Sequence, residues 1–234
     1  MAGPAVSAYL LHSVAFQDQK LLLDLLIPGQ GRIRAVARRP AKKHSGRSQW
    51  PLFCLCWVEL SGHSELRTVR RIEEQQAALP LQGEWLFSAL YLNELICRLF
   101  PATAPADALF DIYQQAVQSL WALQLAMNSE QARAELEQVL RQTELLLLQE
   151  LGVPVDCSVD AQGELLKTDC YYQWQHEYGF VAAPQGWSGA DLSAISRGDW
   201  QSASLRCAKQ LNRQLLRPLL GPAPLHSRQL FRQD

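Results

Sequence analysis

The sequence predicts an α+β protein, with an N-terminal β-barrel followed by a helical bundle and a small mixed C-terminal domain. Three observations support this fold class. Short apolar or alternating segments separated by turn residues fill the first 75 positions, a helical period begins after Leu81, and a strongly amphipathic segment lies near the C-terminus. The predicted domains are 1–80, 81–154 and 155–234.

The N-terminal domain contains five segments with strand character. The turn Pro28–Gly29–Gln30–Gly31 separates two of them, and Arg32–Val36 alternates polar and apolar residues as a half-buried strand does. Five short, closely spaced strands fit a small barrel such as an OB-fold better than a sandwich. The five predicted strands are Ala5–His12, Lys20–Ile27, Arg32–Val36, Leu52–Leu60 and Leu66–Ile72.

Apolar residues at helical spacing predict three helices in the central domain and one strong helix near the C-terminus. Between them, residues 155–184 show clustered aromatic residues but no clear period, so we expect an irregular segment there. The predicted helices are Glu84–Phe100, Pro105 to about Met127, Glu130–Leu151 and Ser202–Leu220.

Charge is distributed unevenly along the 234 residues, although the formal net charge is only −1. Residues 1–80 carry 11 basic and 6 acidic side chains, residues 81–170 carry 4 and 13, and residues 171–234 carry 7 and 4. Two basic ends around an acidic middle indicate modules with different partners.

The basic segment 31–47 is the strongest functional signal, because it holds seven of the 22 lysines and arginines and no carboxylate. Cations at this density are typical of a phosphate-binding surface, and OB-folds bind single strands in a basic groove. A solvated basic loop is the alternative. The predicted phosphate-contacting residues of this segment are Arg32, Arg34, Arg38, Arg39, Lys42, Lys43 and Arg47.

A second basic surface is predicted on the C-terminal helix, where Arg206, Lys209, Arg213 and Arg217 recur every three or four residues and form one stripe. This stripe either extends a DNA-binding surface or is an ordinary solvated helix face. Tyr9, Trp50 and Trp57 are candidates for stacking on bases. For Trp57 core packing is the favoured interpretation, and for Trp50 the two are evenly balanced.

Several functional classes lack their sequence signatures. No phosphate-binding P-loop, G-x-S-x-G turn or H-E-x-x-H motif is present, and the five histidines are scattered singly. Six cysteines include no C-x-x-C pair, and no apolar run is long enough to span a bilayer. We therefore expect a cytoplasmic binding protein without cofactor or metal, and not an enzyme.

Segments in a particular order give the chain a resemblance to a known family. They are YLLHS (9–13), GRIRAVARR (31–39), LFSALYLNELICRLF (86–100), LFDIYQQAVQSL (109–120), LRQTELLLL (140–148), LGVPVD (151–156), LRCAKQLNRQLLRPLLG (205–221) and SRQLFRQ (227–233). Together they resemble RecO, the bacterial recombination mediator family, and in particular its gammaproteobacterial members without zinc. Many other members have a four-cysteine zinc site where this chain has only Cys157 and Cys170.

The resemblance implies binding of single- and double-stranded DNA and annealing of complementary strands in the RecF pathway of recombinational repair. It also implies partnership with RecR and with the acidic tail of SSB, the single-stranded DNA-binding protein. Together these partners help RecA load onto strands coated by SSB. In the family the SSB tail binds the helical bundle, and Arg141 matches a family arginine in the segment L-R-x-x-E-L (140–145). Leu109, Phe110 and Tyr113 could line its pocket, although helix core is the favoured interpretation of these three.

Two alternative functions belong to different classes. An SSB-binding adaptor would use its basic loop for an acidic protein tail and would not bind or anneal naked DNA. A metal-dependent DNA enzyme is disfavoured, because the sequence shows no carboxylate constellation for two metal ions.

Overall fold

The computed structural model describes residues 4–39, 50–62, 64–102, 104–126 and 130–231. The described residues of Met1–Leu125 and Ala223–Asp234 form one compact unit, and those of Ala126–Pro222 form another. The order of a barrel, helices and a small C-terminal sheet confirms the predicted α+β class. The division into three domains stays a prediction; the two units divide between the second and third helices.

Five strands of the first unit close into a barrel in the order β1-β2-β3-β5-β4. All neighbours pair antiparallel except β3 and β5, which are parallel, and β4 closes the barrel on β1. Alternate residues point inward, so that Leu21, Leu23 and Leu25 of β2 pack on Ile33 and Ala35 of β3. The strands are β1 (Val6–Phe16), β2 (Lys20–Ile27), β3 (Gly31–Arg38), β4 (Leu55–Ser61) and β5 (Leu66–Glu74).

Helices α1 (Gly83–Leu99) and α2 (Leu109–Ala126) follow the barrel. The buried Asn93 of α1 donates its Nδ2 hydrogen bond to the Leu11 carbonyl of β1 at 2.9 Å and accepts one from the Tyr113 hydroxyl of α2 at 2.8 Å. The Tyr9 ring lies 5.1 Å from the Tyr113 ring. These contacts join α1 and α2 to the outer face of β1.

The C-terminal segment, which contains the short helix α6 (Ser227–Leu230), packs on α1. Glu94 accepts hydrogen bonds from the backbone N–H groups of His226 and Ser227 and from the Ser227 hydroxyl. Burial acts to raise the pKa of Glu94, but these hydrogen bonds and the His226 charge outweigh it and lower that pKa below its usual value. Arg98 donates to the carbonyls of Ala223 and Pro224.

The second unit combines helices with a three-stranded antiparallel sheet in the order β7-β6-β8. The irregular segment expected over residues 155–184 is therefore wrong in part, because the sequence YYQWQ alternates and pairs with the strand after the turn at residues 176–178. The elements are α3 (Glu130–Glu150), β6 (Tyr171–Gln175), β7 (Gly179–Ala183), β8 (Trp187–Ser188), α4 (Gly189–Ser196) and α5 (Ser202–Leu220).

The cysteines are buried or half-buried free thiols. Cys54 and Cys56 both face the barrel interior, with 3.7 Å between their sulfur atoms. Burial raises the pKa of Cys97, Cys157 and Cys207 to about 12, so these thiols stay protonated at neutral pH. Protonated thiols are poor nucleophiles.

No helix in the described part of the chain is long and apolar enough to cross a membrane.

Candidate nucleic-acid interface

The outer face of β2, β3 and β5 carries the first set of exposed cations. Because Ile33, Ala35 and Ala37 face the core, the even-numbered residues of β3 point outward. Lys20 of β2 pairs directly with Arg38 of β3, which places two cations side by side. Val36 pairs with Thr68 of β5, so this face continues across the parallel strand.

A groove of about 730 Å³ lies on this face and is lined by residues 16–20, 36–38 and 68–70. We call it the barrel groove. It presents the side chains of Lys20, Arg38 and Arg70 against one carboxylate, Asp18. The Arg70 Nε donates to the Ser61 hydroxyl at 2.7 Å, which fixes that guanidinium at the rim. Three cations along a strand face suit the spaced phosphates of a nucleic-acid backbone.

Two more predicted residues lie beside the barrel groove. Arg39 is exposed, and its N–H continues the β2–β3 ladder by donating to the Gln19 carbonyl at 2.9 Å. The Arg34 side chain is 50% exposed and its Nε lies 3.4 Å from the Asp24 carboxylate. Lys42, Lys43 and Arg47 lie outside the described residues.

Arg32 requires a correction, since its side chain is only 9% exposed. Its Nε and Nη2 lie 2.9 and 2.8 Å from one oxygen of Asp24, and its Nη1 donates to the Phe100 carbonyl at the end of α1. A guanidinium whose donors meet buried acceptors is not available to phosphate. We therefore assign Arg32 to the packing of the barrel against α1 and remove it from the DNA surface.

The candidate stacking residues have different surroundings. Tyr9 is buried against Phe110 and Tyr113, and Trp50 is half-buried against the barrel core. The core packing favoured for Trp57 is wrong, because this side chain is 42% exposed on the outer face of β4. Trp57 pairs with Ser7 and Glu73 and does not line the barrel groove.

Sequence reasoning missed three residues of the barrel groove: Phe16, Lys20 and Arg70. Phe16 is half-buried at the end of β1 and is the aromatic side chain in the groove. A signal for Lys20 was present, since the tight β2–β3 turn fixes a register that sets Lys20 opposite Arg38. Arg70 had no such signal, because the parallel pairing of β5 with β3 joins distant parts of the chain.

The predicted stripe on α5 is exposed along its length, while the opposite face of that helix is buried. Lys209 lies 2.9 Å from the Glu137 carboxylate of α3 and is half exposed. Within the described residues, the other three show no ion pair. The stripe consists of Arg206, Lys209, Arg213 and Arg217.

The four residues expected to bind the SSB tail divide between the two units. Leu109, Phe110 and Tyr113 are buried in the first unit, where Tyr113 has no exposed surface. They form helix core, which was the favoured interpretation of these three, and they do not line an open pocket. Arg141 lies on α3 of the second unit, with its Nη1 2.9 Å from Glu144.

The surroundings of Arg141 are polar and buried. Asn212 of α5 donates to both the Arg141 carbonyl and the Glu144 carboxylate. Glu144 is 1% exposed, so its carboxylate is buried although it lies in an acidic part of the sequence. The Nε of Arg141 has no hydrogen-bond partner among the described residues. An unmet donor on a buried guanidinium is a cost to the fold, and this nitrogen is not exposed to an external acceptor.

The chain is similar to several known proteins described as "DNA repair protein RecO". The chain is 40% identical over 231 residues to the protein from Pseudomonas putida (strain W619), covering 97% of this chain and 96% of the relative. It is 38% identical to that of Pseudoalteromonas translucida, at 96% and 95% coverage, and 39% identical to that of Cellvibrio japonicus, at 96% and 94%. No family model matches the chain.

Proposed function

This chain belongs to the RecO family of DNA repair proteins, and we propose that it is a non-catalytic mediator that binds DNA and anneals complementary single strands. With RecR, it would help RecA load onto strands coated by SSB. The barrel groove is the observation that carries the DNA-binding part of this proposal. Its three cations are carried by strands of the closed barrel, and the Ser61 hydroxyl holds the Arg70 guanidinium.

The proposed DNA path starts in the barrel groove at Lys20, Arg38 and Arg70 and continues over Arg34 and Arg39. Phe16 is the proposed stacking platform, because base stacking on an aromatic ring tolerates any sequence. Lys42, Lys43 and Arg47, which follow Arg39 in the sequence, stay predicted phosphate contacts. The exposed stripe on α5 is a second proposed DNA surface, made of Arg206, Lys209, Arg213 and Arg217.

The salt dependence of binding tests the barrel groove. Each phosphate contact that is removed lowers the slope of log K against log salt by about 0.7 for a single strand. We expect the variant Lys20→Ala/Arg38→Ala/Arg70→Ala to bind a labelled oligonucleotide more weakly, with a slope lower by about two. The variant Arg38→Ala/Arg39→Ala/Lys42→Ala/Lys43→Ala should behave similarly, because it removes cations from the same path.

Arg71→Ala is the matched control for the barrel groove. Arg71 is an exposed arginine of β5 outside the groove, and its Nη2 lies 2.6 Å from the Glu73 carboxylate. Its replacement should leave the salt slope unchanged. If the triple variant retains the slope of the unmodified protein, the barrel groove is not the DNA site and the proposal fails.

For the SSB tail we propose Arg141 as the cation that meets a carboxylate of the acidic peptide. Its match to the family arginine of the segment L-R-x-x-E-L supports this assignment, and two nearby residues, Leu146 and Leu145, offer exposed and half-exposed apolar surface on the same helix. An acidic tail that ends in an apolar residue needs both a cation and apolar surface.

The variant Arg141→Lys separates recognition from stability. It keeps a positive charge beside Glu144 but removes the planar guanidinium, so we expect weaker binding of a tail peptide and a smaller loss of stability than Arg141→Ala would cause. Arg133→Ala, at an exposed position of the same helix, is the control. Equal peptide affinity of Arg141→Lys, Arg133→Ala and the unmodified protein would eliminate Arg141 from the tail site.

A further inference from the structure

A cleft in the second unit has a chemistry opposite to that of the barrel groove. It has a volume of about 360 Å³ and lies between the loop after α3 and the hairpin of β6 and β7. Its lining includes the rings of Trp174, Tyr178 and Phe180 and the carboxylates of Asp156, Asp160 and Glu177. Among the described residues that line it, His176 is the basic side chain, and there is no lysine or arginine. We call it the hairpin cleft.

The aromatic part of the hairpin cleft is held in place by packing. Phe180 is 1% exposed, and its ring lies 5.1 Å from that of Trp174, at an interplanar angle of 79°. Tyr178 is 70% exposed at the turn of the hairpin. The exposed tyrosine and the packed tryptophan both line the cleft and give it aromatic surface for a ligand.

The acidic part is also pre-arranged. One oxygen of Asp156 accepts from the Ser158 N–H at 2.8 Å, and one oxygen of Asp160 accepts from the backbone N–H groups of Gln162 and Glu164. Each carboxylate is thereby oriented while its second oxygen is left for another donor. No described lysine or arginine forms an ion pair with Asp156, Asp160 or Glu177.

We propose that the hairpin cleft binds an arginine side chain presented by an extended segment of a partner protein. A guanidinium can stack on aromatic faces and donate to carboxylates at the same time, and arginine does both better than lysine. Nucleic acid is the wrong occupant, because three carboxylates repel phosphate. The proposal does not depend on DNA binding, which we assign to other surfaces.

Two short peptides with blocked ends test the proposal against the full-length protein. One has the sequence Gly-Ser-Arg-Ser-Gly, and the other has citrulline, a neutral isostere, in place of arginine. We expect the arginine peptide to shift the NMR signals of the Trp174 indole and the Tyr178 and Glu177 amides, and the citrulline peptide to leave them unshifted. Equal shifts with both peptides, or none with either, would overturn the proposal.

Variants locate the binding in the cleft. Tyr178→Ala and Glu177→Gln are exposed substitutions, and each should weaken the arginine peptide roughly two- to fivefold, the range of an exposed cation–π contact or ion pair. Glu164→Gln is the control, since this neighbouring exposed carboxylate does not line the cleft. If Glu164→Gln weakens the peptide as much as Glu177→Gln does, the effect is one of general charge and the site is rejected.

Two further outcomes would identify another occupant and overturn the proposal. Ethylguanidinium binding as tightly as the arginine peptide would show a site for small cations, in which a protein segment contributes nothing. Self-association that Tyr178→Ala/Glu177→Gln abolishes, measured by sedimentation, would show that a second copy of this chain fills the cleft.

Discussion

The two ends of the β2–β3 surface use similar residues for different purposes. At one end Arg32 is buried, with its guanidinium between Asp24 and the Phe100 carbonyl. At the other end Arg38 is exposed in the barrel groove beside Lys20. Both arginines point out of the barrel from the same strand, six residues apart. We call these the covered end and the open end.

The difference shows that covering by another element, and not residue type, decides the role of an outward cation. The end of α1 and the chain after it lie over the covered end, so Arg32 must satisfy its donors within the protein. The open end has no such cover among the described residues, and its cations remain available to a polyanion.

Replacement of Arg32 is expected to have the largest effect. Arg32→Ala leaves Asp24 buried without its main partner, and loss of one member of a buried ion pair typically costs about 3 to 5 kcal/mol. We expect the free energy of unfolding in urea to fall by about that amount. Arg34→Ala removes an exposed partner of the same carboxylate and should cost less than about 1 kcal/mol. Equal losses for the two variants would contradict the distinction between the ends.

Gly31 at the covered end should give the next largest effect. Its φ is 69°, and a Cβ there would lie 2.8 Å from the Ala104 carbonyl oxygen. Gly31→Ala therefore combines an unfavourable backbone conformation with a clash, and we expect about 1 to 3 kcal/mol of destabilisation. Gly29→Ala is the control, because its φ is 66° but nothing lies within 4 Å of the added Cβ. Thermal unfolding measures both variants. If Gly29→Ala lowers the stability as much as Gly31→Ala does, the clash with the Ala104 carbonyl is not the cause of the loss at Gly31.

At the open end, a substitution should change DNA binding without changing the stability of the fold. Arg38→Ala removes an exposed side chain, so we expect a change in unfolding free energy within about 0.5 kcal/mol. Its affinity for single strands should fall, and the salt slope should decrease by about 0.7. Fluorescence anisotropy titrations at several salt concentrations measure both. A loss of stability like that of Arg32→Ala would show that the open end is also part of the fold.

The smallest expected effect concerns α1, the helix that ends at the covered end. The pKa of Glu94 is lower in the folded state than in the unfolded state, where it is about 4.3. Glu94 therefore contributes its full stabilisation at pH values above the unfolded pKa and loses it as the pH falls through the folded pKa. We expect the Ser227 amide signal to move toward its unfolded position in that acidic range. Glu94→Gln should remove this transition, and its persistence in the variant would assign it to another group.

Local patterns were sufficient to predict the barrel strands and the long helices. Alternation defined β3, and Pro28 to Gly31 marked the turn that fixes its register with β2. The alternation that puts Cys54 and Cys56 inside the barrel also puts Trp57 outside. The prediction of a buried Trp57 relied on the apolar character of tryptophan and ignored this alternation.

The covered end could not be predicted, because its contacts join residues far apart in sequence. Arg32 meets the carbonyl of Phe100, 68 positions away, and no local pattern indicates that contact. The hairpin cleft also depends on tertiary structure, since Asp156 and Trp174 belong to segments that only the fold brings together. Arg141 and Glu144 are three residues apart, a spacing that allows an ion pair on a helix, but their burial depends on packing against α5.

Annealing of complementary strands coated with SSB, in the absence of ATP, tests the central claim most directly. We predict that the unmodified protein and Arg71→Ala accelerate annealing, and that Lys20→Ala/Arg38→Ala/Arg70→Ala accelerates it much less. With SSB that lacks its acidic tail, the acceleration by the unmodified protein should be lost. Full acceleration by the triple variant would contradict the claim that the open end of the barrel is the surface on which this protein anneals DNA.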